Sequence, residues 1–157
     1  MENKFKDSQG REWSLDINVR SYMAIKKELN IDIANIFDDD NNWLENMMTL
    51  DDLGLLLEII GHCLGDQLEK KEVSEDDFYG SLGGESLQNA ASALCQAIVN
   101  FIPAHKREPL QQLMKSSQEN LAEMSSLLVQ RTQEIQKKTS TDMKKYLEES
   151  DSNSKED

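Results

Sequence analysis

The sequence predicts a mainly α protein: an N-terminal β-hairpin followed by a helical bundle and a long C-terminal helix. Three observations carry that prediction. Strict alternation is confined to the start, where Trp13, Leu15 and Ile17 alternate with Glu12, Ser14 and Asp16. From Asn18 to Phe101 apolar residues recur three and four apart, in runs opened by Asn, Thr or Ser. From Leu110 to Lys138 neither Gly nor Pro interrupts the chain.

Each element follows in order. Phe5 belongs to the strand that partners Trp13, and "DSQG" supplies the turn between them. Asn18 caps a helix carrying Val19, Tyr22, Met23, Lys26 and Leu29 and ending near Asn30. "IDIANIF" is a short element with Ile31, Ile33, Ile36 and Phe37 expected in the core, followed by the acidic turn "DDDNN" and the short helix "WLENMM". Thr49 with Asp52 three residues on resembles a capping box, opening the most apolar segment, about residues 50–70, as the expected central helix. "VSEDDFYGSL" begins a further helix. "GG" at 83–84 ends it, and "ESLQNAASALCQAIVNFI" follows with Leu87, Ala91, Leu94, Ile98 and Phe101 on one stripe. Pro103 and Pro109 bracket a break, and Pro109 suits the first turn of the last helix. The chain thus divides into a hairpin plus helical body at 1–106, a long amphipathic helix at 107–147, and a polar tail at 148–157 that is expected to be disordered.

A chain of 157 residues is long enough for a core that buries about 70% of its unfolded surface. Its formal net charge of -13 is unevenly placed. Residues 38–103 carry fourteen acids and two bases, whereas 1–37 balance six against six and 104–157 carry ten against nine. That field repels phosphate backbones and anionic lipid, so neither nucleic acid nor a membrane is expected as a partner. No export signal is visible, and "LGLLLEII" is too short to span a bilayer, so a cytoplasmic protein is expected. Cys63 and Cys95 have no paired spacing and read as reduced core residues.

The acidic cluster "SEDDF" is the first candidate for chemistry. A calcium loop beginning at Glu75 would need an acid at its twelfth position and meets Ser86, and one beginning at Asp38 meets Trp43 where glycine is required. A helix start fits better: Ser74 is the N-cap, Glu75, Asp76 and Asp77 sit where the helix dipole favours negative charge, and Phe78 and Leu82 face inward. His62 and His105 lack the short ligand spacings of a zinc site, and no phosphate loop, nucleophile elbow or metalloprotease motif occurs. The expectation is no enzyme, no metal and no cofactor.

The last helix holds the strongest pattern. Met114, Leu121, Leu128 and Ile135 recur at a spacing of seven, with Leu110 and Met124 on the intermediate seam and Ser117 and Arg131 interrupting it. Such a seam serves either for packing on its own domain or for pairing with another chain. About thirty residues of helix span roughly 45 Å. A body of some hundred residues has a radius of gyration of about 13 Å, so the far end is expected to project. Leu110, Met114, Leu121, Met124 and Leu128 are the candidate partner-binding residues.

The order "GREWSLDINV", "IKKELNIDIANIF", an apolar helix, and "VSEDDFYGSLGGESLQNAASALCQAIVNFIP" with a basic pair after it resembles the tail assembly chaperones encoded in phage and prophage tail operons. The likeness covers about residues 10–110, and "SEDDF" is its most specific part. It implies a non-enzymatic protein of the host cell cytoplasm that binds the long helical tape measure protein before the tail tube closes around it. The tail tube protein is a further candidate partner, and a homo-oligomer is a further candidate state of the chain. The alternative is a structural or regulatory phage adaptor that homodimerises through the long helix.

Overall fold

The computed structural model describes residues 2–38 and 42–153, the side chains of 37 and 38 excepted. The hairpin is formed by β1 (Lys4–Lys6) and β2 (Glu12–Ser14), antiparallel, with Phe5 opposite Trp13. Both rings are buried on the face that meets Phe78, which stands 4.9 Å from Trp13 in an edge-to-face arrangement. The side-chain amide of Gln67 extends the edge of β2, accepting from Ser14 N at 3.0 Å and donating to Ser14 O at 2.7 Å.

Helix α1 (Val19–Leu29) starts in a reciprocal capping box between Asn18 and Ser21 and stops at Asn30 in the left-handed region, φ 55°. Its inward face differs from the expected one. Ile25 is buried and Tyr22 and Leu29 are half-buried, whereas Val19 and Met23 point to solvent. Two stripes of helical spacing lie side by side here. Asp32 favours the observed one by accepting from the Tyr22 hydroxyl at 2.9 Å and pairing with Lys26 at 3.2 Å. A 3-10 helix, Ile33–Asp38, then buries Ile33 and Ile36, kinking at Asn35. Phe37 as a core residue and the acidic turn after it lie outside the residues described.

Helix α2 (Trp43–Met48) buries Trp43, Leu44 and Met47. The Thr49–Asp52 capping box does not form. Thr49 closes α2 instead, its hydroxyl donating to Glu45 O at 3.1 Å, and Asp52 is the N-cap of α3 (Leu53–Cys63), accepting from Leu55 N at 3.1 Å. The expected single helix at 50–70 breaks where Gly65 takes φ +59°, and α4 (Gln67–Lys70) is a separate turn. Helix α5 (Glu75–Gly80) follows. The central position belongs to α6 (Glu85–Phe101), which packs on β1, α2 and α3. Ala90, Ala91, Ala93 and Ala97 are buried along it, and their small side chains allow neighbouring elements to approach closely.

Helix α7 (Ala104–Asn153) begins directly after Pro103, whose carbonyl accepts from Lys106 N at 2.9 Å. Pro109 lies inside it rather than starting it. As the sixth residue of the helix it lies just past the four N–H groups that lack partners, and it removes one hydrogen bond, that to the carbonyl of residue 105. Lys106 Nζ anchors this end, donating to Ala34 O at 2.9 Å and Asn35 Oδ1 at 3.0 Å. At its other end the helix continues through residues 148–153, which the composition had placed in a disordered tail. Residues 154–157 lie outside the description. By contacts the chain forms two units, Met1–Ser117 and Gln118–Asp157, so the division falls about ten residues later than the expected 106/107. The reason is that Leu110, Met114 and Ser117 belong to the core of the first unit.

Candidate interaction surface

The five candidate residues lie on α7 and divide into two groups. Leu110 is fully buried and Met114 is 8% exposed, both within the hydrophobic core of the first unit. Leu121 is half-buried, and Met124 and Leu128 are 58% and 60% exposed. The seam is therefore partly a core element and partly an open face. Beyond the candidates, Leu127, Val129, Ile135, Met143, Tyr146 and Leu147 are also more than half exposed.

The "SEDDF" cluster is a helix start. Ser74 Oγ accepts from Asp77 N at 3.1 Å, Glu75, Asp76 and Asp77 are exposed in the first turn, and Phe78 is fully buried beneath them. Among the described residues no three His, Cys, Asp or Glu side chains converge as a metal site would require. His62 pairs with Glu28 at 3.1 Å. Burial pushes the Cys63 and Cys95 thiols up to about 12, with the Asp16 charge adding to the effect on Cys63, so both stay protonated and unreactive.

One polar centre escaped the sequence reading. The Asp7 side chain is fully buried and accepts from Gln9 N, Arg11 N, Arg11 Nε, Trp13 Nε1 and Ser81 Oγ, at distances of 2.7 to 3.2 Å. Burial alone would raise its pKa, but the hydrogen bonds from Trp13, Arg11 and Gln9 outweigh it and hold the carboxyl at about 2. With Ser8 N donating to Ser81 O at 3.0 Å, this centre ties the hairpin turn to the end of α5. It is structural: every acceptor direction is used by the chain's own donors. The signal available beforehand was an Asp opening a turn, followed six residues later by a Trp whose N–H needs a partner once buried.

No protein-family model matches the chain, and neither a curated protein nor a solved structure matches it. No helix among the described residues is long and apolar enough to cross a membrane.

Proposed function

We propose that the protein is a non-enzymatic chaperone of phage tail assembly that holds an amphipathic helix of the tape measure protein on the open part of its α7 seam. The observation that carries this reading is the exposure of Met124 and Leu128 on the same repeat that buries Leu110 and Met114. A helix face of this kind suits helix-against-helix recognition, in which apolar anchors at three- and four-residue spacing fill the partner's stripe. The net charge of -13 keeps a protein with such a face soluble before its partner arrives. The partner's identity comes from the resemblance of residues 10–110 to tail assembly chaperones.

The test is co-expression with the long, helix-rich product of the neighbouring gene. The wild type should co-purify with it, and Leu121→Asp with Met124→Asp should not, although the variant melts at nearly the same temperature. A neighbouring gene that encodes no such product, or capture that survives the double substitution, overturns the reading.

A further inference from the structure

We propose that α7 pairs antiparallel with the same helix of a second copy of this chain, about a two-fold axis at Thr139. The starting point is the period of the seam. The seven-residue spacing stops at Ile135, because seven residues on is Asp142. A spacing of eleven continues: Leu121, Thr132 and Met143 form one row, Met124, Ile135 and Tyr146 a second, and Leu128, Thr139 and Ser150 a third. Eleven residues make three turns at 3.67 per turn, close to the 3.6 of a straight helix, so the three rows stay on one face along the helix. The preceding members of the rows are Leu110, Leu113 and Ser117, and these are the residues that the first unit buries or half-buries.

Charge then selects the partner and its register. An antiparallel copy keeps row against row only if two paired residues sum to 267, to 278, or to a value eleven further on. The sum of 267 sets Arg131 beside Lys138 of the second copy, twice. At 278, Ile135 faces Met143, Thr132 faces Tyr146, and Thr139 meets itself. The flanking positions fall into place at that register: Arg131 meets Glu149 and Lys138 meets Asp142 on one side, and Val129 meets Leu147 on the other. Flanking pairs of this kind set partner and orientation in paired helices. None of the ion pairs among the described residues engages Arg131, Lys138, Asp142 or Glu149. Val129 and Leu147 lie off the three rows and are 53% and 60% exposed; the pairing gives both a place.

A parallel pair would set those four side chains against the edge that carries Val129, Gln136, Ser140 and Leu147, whose one charge among the described residues of the overlap, Asp151, lies beside Glu149 and has the same sign. Among the described residues the overlap runs from 125 to 153, so of the seam assigned above to the helical partner the pairing takes Leu128 and does not reach Leu121 and Met124.

The experiment uses the full chain in two measurements. By sedimentation equilibrium the wild type should be a dimer. Arg131→Glu should raise the dissociation constant on the order of tenfold, and Arg131→Glu with Glu149→Arg should restore it. In the second measurement Thr139→Cys should form a covalent dimer on mild oxidation, and Leu128→Cys should not, because Leu128 faces Ser150 of the second copy. A wild type that stays monomeric overturns the proposal. So does cross-linking through Leu128→Cys, which signifies parallel pairing, or a charge exchange that fails to restore affinity. Leu121→Asp with Met124→Asp, which tests the chaperone function, should leave the native mass unchanged, so the two readings fail separately.

Discussion

The indole nitrogen of Trp13 donates to the Asp7 carboxylate at 2.9 Å, and both side chains are fully buried. The bond joins the two ends of the hairpin turn while Ser81 brings α5 to the same carboxylate, so one ionised group holds three segments in register. Removing it leaves several donors unsatisfied in a place water does not reach.

The Asp7 pKa therefore predicts an acid dependence of folding. A carboxyl lowered to about 2 in the folded state contributes stability that is complete above its unfolded pKa near 4 and is lost as pH falls through about 2. The contribution is about 2 kcal/mol. Urea unfolding at pH 6, 4, 3 and 2 should show the wild type losing more stability than Asp7→Asn over the lower part of that range. Parallel curves for the two proteins would remove Asp7 from the account.

Helix starts should respond to removal of their caps. Ser74→Ala and Asn18→Ala should each cost about 1 kcal/mol, because each deletes a side-chain acceptor for an otherwise unpaired N–H. Thr49→Ala should not loosen α3, since Asp52 caps that helix. Denaturation of the three variants checks this, and the reverse order of losses would show that α3 starts at Thr49.

The two cysteines should be chemically silent in the native protein. Cys63 and Cys95 are buried with thiols near 12, so a thiol reagent at pH 8 should label neither within minutes and both on addition of guanidinium. Rapid labelling of the native state would mean that α3 or α6 opens readily.

The sequence showed some of this plainly and hid the rest for physical reasons. The hairpin was legible because Trp13, Leu15 and Ile17 alternate with polar residues after the turn "DSQG"; its register, Phe5 opposite Trp13, came from the structure. The caps at Asn18 and Ser74 were legible because a side-chain oxygen three residues before an amide acts locally. The inward face of α1 was not, because Val19 with Met23 and Tyr22 with Ile25 satisfy the same spacing and only Asp32, further along, separates them. The break at Gly65 was hidden inside an apolar run, and Pro109 looked like a helix start although α7 begins at Ala104. On the seam, Leu110 and Leu121 belong to the same row of the repeat. Local pattern gives no reason why one is fully buried and the other half-buried; the core around Leu110 supplies it.

That division makes a direct stability prediction. Leu110→Ala should cost about 2 to 5 kcal/mol by opening a cavity in the core, whereas Met124→Ala should stay within about 0.5 kcal/mol of the wild type. Equal losses at the two positions would mean that the exposed half of the seam is covered in the isolated chain.

The most direct measurement of the proposed function places a photo-cross-linking amino acid on the helix face itself. Substituted at Met124, it should capture the long, helix-rich product of the neighbouring gene on irradiation of the co-expressed pair. At Glu119, roughly opposite on the helix at 100° per residue, it should capture nothing. Cross-linking from Glu119 as strong as from Met124, or none from either, would contradict the account.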